Sequence, residues 1–201
     1  MKLFLKITCT LLLLVFAFWA GSVVTDQAIL QSGVIRLHVV ADSDSPEDQS
    51  LKLKVRDAVL AKVQSVIEQL PDMETAKNYL REQLPELERI ANQTLQAAGN
   101  ACRAMVTLTK EAFPTRYYDT FRLPAGVYES LRVTIGEGAG RNWWCVVFPG
   151  LCSDATTEAF SDTATDAGFS DHLTGALTQE PAYRVRFFFL DCLGWVQNWF
   201  H

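Results

Sequence analysis

The chain opens with a long uncharged segment. No residue from Ile7 to Val24 is charged, and Lys2 and Lys6 precede this segment. An uncharged, mostly apolar run behind two lysines is typical of an export signal, and the small residues at 20–22 suit cleavage by signal peptidase. The run is also about as long as the shortest membrane-spanning helix. We therefore predict residues 1–22 as a signal peptide or N-terminal anchor, and we favour cleavage at its end.

After the signal segment, the spacing of apolar residues predicts first a strand and then helices. Residues 34–40 begin with alternating apolar and polar side chains and are rich in β-branched types, which predicts a strand. Ser45 then stands as an N-cap before Pro46, and apolar residues recur at spacings of three and four until Pro71. This pattern predicts a long helix, and a second helical pattern follows from about Met73 to Ala98.

A period of two returns in the second half of the chain. Three segments, beginning near Cys102, Val127 and Trp143, alternate or are rich in residues typical of strands, and the aromatic-rich last segment favours a helix. We therefore predict an α+β fold. A small antiparallel sheet packs against the N-terminal helices, followed by a C-terminal aromatic-rich helix. Its four strands lie near Val34, Cys102, Val127 and Trp143.

An acidic segment of small residues interrupts this pattern. No lysine or arginine occurs between Asn142 and Tyr183, and residues from about 153 to 180 are rich in Asp, Thr, Ser, Ala and Gly. A segment of this composition is expected to bury little apolar area. We predict a single exported domain, residues 23–201, with a mobile acidic insertion at about 153–180.

The charge of the exported part excludes one class of partner. Residues 1–22 carry two lysines and no acid, so removing them changes the net charge from −5 to −7. A protein of this charge without a basic tract does not suit binding to phosphate backbones. We expect no nucleic-acid partner.

Four cysteines remain in the exported part: Cys102, Cys145, Cys152 and Cys192. Their spacing does not choose among the three complete pairings, and Cys145–Cys152 is the candidate disulfide. The intervals do not match a zinc site, and the histidines form no matching cluster, so we expect no metal. A thiol oxidoreductase is a weaker alternative, because Cys145 and Cys152 lack the Cys-x-x-Cys spacing.

The sequence carries no established catalytic motif. His38, Asp42 and Ser43 are close along the chain, but this proximity alone does not make a catalytic trio. The acids Asp42, Asp44, Glu47 and Asp48 resemble the start of a calcium loop but lack its central glycine and final glutamate, so the helix start explains them better.

The stretch GEGAGRNWWC joins two predicted strands, so its glycines do not form the strand-to-helix loop of a dinucleotide site. Adjacent residues of a strand point to opposite faces, and we expect one of Trp143 and Trp144 to face outward unless the sheet is covered on both sides. An exposed tryptophan beside an arginine is a typical interface anchor. We predict Arg141, Trp143 and Trp144 as partner-binding residues.

Three long stretches of the chain share their sequence with a known family. They are IRLHVVADSDSPEDQSLKLKVRDAVL (35–60), FPTRYYDTFRLPAGVYESLRVTIGEGAGRNWWCVVFPGLC (113–152) and RFFFLDCLGW (186–195). They resemble the stage II sporulation protein R family of endospore-forming bacteria. The stretch at 153–180, Cys102 and Cys192 do not align with the family pattern.

The resemblance implies a signalling protein without catalytic activity, cofactor or small-molecule substrate. Such a protein is made in the forespore and secreted into the space between the two sporulation membranes. There it activates a membrane-embedded aspartic protease of the mother-cell side, which matures the sigma E precursor. The family lends no binding residues. The alternative is a cell-envelope hydrolase in the same space, with Asp42, Asp44 and Glu137 as its acids.

Overall fold

The computed structural model describes residues 1–152, 157–166 and 168–201. Six α-helices and six strands are assigned in these ranges, with a 3-10 turn at Pro181–Tyr183. The helices are α1 Lys2–Gly33, α2 Pro46–Ile67, α3 Met73–Ala97, α4 Thr157–Asp166, α5 Asp171–Leu177 and α6 Arg184–Trp199. The strands are β1 Ile35–Val40, β2 Ala104–Phe113, β3 Arg116–Tyr117, β4 Arg122–Leu123, β5 Gly126–Ile135 and β6 Asn142–Phe148. The predicted α+β class is confirmed, as is the C-terminal aromatic-rich helix.

The main sheet has the strand order β2-β5-β1-β6, so β6 is an edge strand. β5 pairs antiparallel with β2, and β1 pairs antiparallel with β6. The central pair, β1 and β5, is parallel, with Leu37 opposite Leu131. The sheet is therefore mixed, where the sequence predicted it antiparallel. The alternation of side chains reports which face they occupy and carries no information about strand direction.

One face of the sheet packs against α2 and α3. The N-cap predicted at Ser45 is confirmed, because its hydroxyl accepts the backbone N–H of Asp48 at 3.1 Å and Pro46 occupies the first turn. The apolar stripes of the two helices then close over the sheet. The fully buried members include Leu37, Val55, Val59, Val63, Leu80, Leu87, Ala91, Leu95, Leu131 and Val133.

The opposite face is covered as well, by the second half of α1 and by α4, α5 and α6. Its core contains Val23, Leu30, Phe113, Tyr128, Phe160, Leu173, Leu177, Phe187 and Leu190. Because both faces are covered, the polar residues of β1 are buried too. Arg36 is fully buried, with its guanidinium carbon 4.0 Å from the ring centroid of Phe113.

The acidic segment contributes to this second core. Phe160, Ala164, Leu173, Ala176 and Leu177 are buried, although this composition was expected to bury little apolar area. The difference arises because the few apolar residues recur at helical spacing, which collects them on one side of α4 and α5. Residues 153–156 and 167 of the predicted insertion lie outside the described residues, and its mobility stays a prediction.

Helix α1 combines two environments along its length. Large apolar side chains up to Phe18 are exposed, whereas Val23, Asp26, Gln27 and Leu30 are buried against the domain. By length and composition the helix could cross a membrane, and a signal sequence meets the same criterion. The N-terminal segment is therefore compatible with either a signal peptide or an anchor.

Candidate partner-binding surface

The glycine loop between β5 and β6 is held by the loop that follows β1. The Asp42 carboxylate accepts the backbone N–H of Glu137 at 2.7 Å, and the Asp44 carboxylate accepts that of Arg141 at 2.7 Å. The backbone N–H groups of Ala139 and Gly140 donate to carbonyl oxygens of the same β1 loop, both at 3.0 Å. Four hydrogen bonds thus fix the position from which β6 begins.

The glycines make this close approach sterically feasible. Gly136 has φ +55°, in the left-handed region that glycine adopts without strain. At Gly140 a Cβ atom would lie 2.2 Å from the backbone oxygen of Ser43, so no side chain fits there. The spacing GEGAG is therefore explained by packing between two loops.

The acids of the β1 loop act as hydrogen-bond acceptors within the fold. Besides the backbone of Glu137, Asp42 accepts the thiol of Cys102 at 3.4 Å. This hydrogen bond to Asp42, together with burial, raises the pKa of Cys102. Asp48 accepts the hydroxyl of Ser43. These contacts leave Asp42 and Asp44 bound to the protein itself, and in the described residues no group of three metal-ligating side chains is present.

His38 is not brought together with Asp42 and Ser43. Its Nδ1 lies 3.2 Å from Oε2 of Glu111, and its Nε2 lies 2.9 Å from Oδ1 of Asn142. Glu111 also accepts a hydrogen bond from Arg132 at 2.6 Å. The structure therefore places His38 in a polar network across β1, β2, β5 and β6, which proximity along the chain did not indicate.

Arg141 is the most exposed of the three predicted contact residues. Its side chain is 72% exposed, and its Nε lies 3.5 Å from the Asp44 carboxylate. The carbonyl oxygen of Arg141 accepts a hydrogen bond from Lys52 at 2.9 Å. Burial and then the nearby charge of Arg141 lower the pKa of Lys52. The backbone of Arg141 is thus fixed on both sides, while its guanidinium remains accessible.

Trp143 and Trp144 occupy opposite faces of β6, as adjacent strand residues must. Trp143 packs at the margin of the α2–α3 core, 4.6 Å from the guanidinium carbon of Arg56. Trp144 lies on the other face, between Arg116 and His38. The guanidinium carbon of Arg116 is 3.6 Å from the ring centroid of Trp144, and the centroid of the stacked His38 ring is 5.5 Å from it. Both tryptophans are half-buried because each face of the sheet is covered, which is the exception to the expectation that one of them faces outward.

A cavity of about 270 Å³ opens beside Trp144 at the edge of the sheet. One wall is the connection carrying β3 and β4, and the other includes β6 and the disulfide that links Cys145 to Cys152. Cys102 and Cys192 are free thiols. The cavity is lined by Tyr117, Tyr118, Asp119, Thr120, Phe121, Trp143, Trp144, Cys145, Leu151 and Cys152.

Sequence reasoning missed the contribution of the β3–β4 connection to this surface. Residues 113–126 lie between the strands predicted near Cys102 and Val127, and no element was predicted for them. In the structure Arg116 stacks on Trp144, and Tyr117 is 67% exposed beside it. The available signal was the density of aromatic and basic residues in PTRYYDTFR. Aromatic residues and arginine together are typical of protein interfaces. We name Arg116, Tyr117, Arg141, Trp143 and Trp144 the tryptophan edge.

The chain is similar to known proteins over its central part. Residues 31–158 match the family model described as Stage II sporulation protein R. A protein named Stage II sporulation protein R from Bacillus subtilis (strain 168) is 41% identical over 130 residues. These residues cover 65% of this chain and 55% of that relative, so the match spans about half the relative's length. No solved structure matches the chain.

Proposed function

The chain belongs to the stage II sporulation protein R family, and from this premise we propose that it is an exported sporulation signal that activates a protease. The protease is membrane-embedded, of the aspartic type, and acts across the intermembrane space to mature the sigma E precursor. The signal is made in the forespore and does no chemistry itself. A ligand that binds the active state of its receptor more tightly shifts the receptor towards that state.

The observation that carries this proposal is the role of the loop acids. Asp42 and Asp44 accept hydrogen bonds from the backbone of the glycine loop, and Asp42 also accepts one from the thiol of Cys102. The side chain of Asp44 is 63% exposed, so these hydrogen bonds, and not burial, give the two acids a structural role in place of the free general acid and base that a hydrolase needs. Through these bonds the acids hold the start of β6 and with it Arg141. The arrangement favours a rigid recognition surface over a catalytic centre.

The tryptophan edge has the composition of a protein contact. Arginine and tryptophan are enriched among the residues that contribute most to binding, and here they lie on an edge strand with a cavity beside them. Arg141 and Tyr117 are the most exposed side chains of this surface. We propose that the protease contacts the protein here.

The test is cleavage of the sigma precursor in a non-sporulating bacterial host. The host expresses the full chain, the protease and the precursor, and immunoblots follow precursor and product over time. Arginine is enriched among the minority of interface residues that contribute most to binding, and a loss of about 1.4 kcal/mol corresponds to a factor of ten, so we expect Arg141→Ala to slow cleavage about tenfold. Because the Arg141 side chain is largely exposed, this variant should accumulate to the same level as the unmodified chain.

Glu137→Ala is the matched control on the same loop. Glu137 is exposed, and the hydrolase alternative needs it as an acid. Unchanged cleavage with Glu137→Ala and slow cleavage with Arg141→Ala would support activation by binding. Equal cleavage with Arg141→Ala, Trp143→Ala and Trp144→Ala at matched protein levels would remove the tryptophan edge from the proposal. Release of wall fragments that Glu137→Ala abolishes would replace the proposal with the hydrolase.

A further inference from the structure

Helix α6 carries an apolar stripe on the side that faces away from the domain. Phe188 is 61% exposed, Trp195 is 58% exposed and Trp199 is 88% exposed. Successive members are separated by three or four residues or are direct neighbours, so they follow one side of the helix for its whole length. We define the α6 stripe as Val185, Phe188, Cys192, Trp195, Val196 and Trp199.

The orientation of α6 is fixed by its other side. Phe187 and Leu190 are buried in the second core. At Gly194 a Cβ atom would lie 1.6 Å from the backbone oxygen of Ala125, so the helix touches the domain backbone directly. Asp191 accepts the backbone N–H of Ala125 at 2.8 Å. Rotation of α6 to bury the stripe would break these contacts, and the stripe therefore remains available to another molecule.

Apart from Trp195, the members of the stripe are placed symmetrically about Cys192. Val185 and Trp199 lie seven positions before and after Cys192, and Phe188 and Val196 lie four positions before and after it. An isologous interface needs a surface that is complementary to itself under a two-fold rotation. In an antiparallel pair of α6 helices, Val185 meets Trp199 of the second copy and the two Cys192 residues meet at the axis.

Electrostatics favour the same arrangement. Antiparallel helices place the positive end of each helix dipole beside the negative end of the other. Arg184 is exposed at the N-terminal end of α6, and Phe200 is 87% exposed at the other end. In the antiparallel pair Arg184 approaches Phe200 of the second copy, a contact in which the ring attracts the cation.

The area of the stripe suits a dimer contact. An aromatic side chain covers roughly 150–250 Å², so the exposed fractions of Phe188, Trp195 and Trp199 offer on the order of 400 Å² per copy. This is about half of the ~800 Å² that each partner buries in a standard interface, before valines and neighbouring residues are added. A membrane-surface helix instead carries Lys or Arg along its polar side. In α6 the two arginines lie in the first turn, where Arg186 pairs with Asp26, and residues 187–199 contain neither Lys nor Arg.

The geometry points to a homodimer in which the α6 stripes of two copies pack antiparallel, with the Cys192 residues at the two-fold axis. The free thiol of Cys192 provides a direct probe of this contact. If the two sulfurs meet, oxidation by copper–phenanthroline removes two protons and two electrons and joins the copies through a disulfide.

The experiment expresses the full chain in a bacterial host and adds the oxidant to whole cells, so that the exported protein is tested with or without residues 1–22. Cys9→Ser and Cys102→Ser leave Cys192 as the free thiol beside the disulfide-bonded pair. Oxidation should give a covalent dimer on non-reducing gels, and Cys192→Ser should abolish it. Phe188→Asp should also abolish the dimer by placing charge in the contact. Met105→Asp is the matched control, since Met105 is 58% exposed on β2 and should leave the dimer unchanged.

Two differently tagged copies test the direction of packing. Both carry Cys192→Ser, one carries Val185→Cys and the other carries Trp199→Cys. A mixed disulfide between them supports the antiparallel pair, whereas a Val185→Cys homodimer would overturn it in favour of parallel helices.

Absence of the Cys192 dimer would overturn the proposal, and the reactivity of Cys192 would then show what covers the stripe. If Cys192 then resists a water-soluble maleimide until detergent is added, lipid covers the stripe. If Cys192 reacts at once, the stripe is free. Protease resistance of the domain, compared with that of the unmodified chain, verifies that Phe188→Asp has folded.

Discussion

At the scale of single residues, the network around Glu111 links charge to stability. Its side chain is 13% exposed and contacts His38 and Arg132. Burial by itself raises the pKa of Glu111, but the hydrogen bonds from His38 and Arg132 outweigh burial and lower the pKa from 4.5 to about 2. The ionised form is therefore favoured by folding. Its stabilisation is fully present above the unfolded-state value near pH 4.5 and is lost as the pH falls towards 2.

We predict that Glu111→Gln lowers the free energy of unfolding at pH 7 and flattens its decline between about pH 4.5 and 2. Urea unfolding at a series of pH values measures both effects. Glu82→Gln, at an exposed position, should follow the unmodified protein throughout. An unchanged pH profile in Glu111→Gln would mean that the network does not favour the ionised form.

At the scale of the elements, the sequence predicted the features that neighbouring residues determine, such as where a helix starts and which segments are strands. Ser45 and Pro46 specify the start of α2, and the period-two runs specify β2 and β5. Strand direction was not predictable in this way. The parallel pairing of β1 with β5 depends on how the connection between them, which contains α2 and α3, packs on the sheet. The half-burial of both tryptophans has the same origin, since coverage of the second face comes from helices remote in sequence.

The close contact between the glycine loop and the loop that follows β1 gives a prediction at this scale. Gly140→Ala would place a Cβ atom 2.2 Å from the backbone oxygen of Ser43, and backbone cannot move aside as a flexible side chain can. We expect the free energy of unfolding to fall by about 1–3 kcal/mol, measured by urea unfolding. Glu137→Ala on the same loop should change it by less than about 0.5 kcal/mol. Equal stability of the two variants would show that the loops are not closely packed.

At the scale of the whole molecule, the first half of α1 is the exposed apolar segment and its second half is part of the folded domain. Its second half is integrated into the domain through Asp26, which accepts a hydrogen bond from Arg186 at 2.6 Å, and through the buried Gln27. The side chains of Arg186 and Asp26 are 11% and 7% exposed, so loss of either one would leave a buried charge unpaired. Cleavage at the end of residues 1–22 would keep this pair intact.

The adjacent valines of α1 test where the folded domain begins. Val23 is 1% exposed and Val24 is 55% exposed, so the same substitution meets two environments one residue apart. Val23→Ala should lower the free energy of unfolding by about 1–2 kcal/mol, because two buried methyl groups are removed, whereas Val24→Ala should change it by less than about 0.5 kcal/mol. Urea unfolding of chains that start at residue 23 would measure both values. Equal effects would mean that the first residues after the signal segment do not dock, whereas unequal effects show that the folded domain includes residue 23. Export would then release a domain whose first residue is already part of its core.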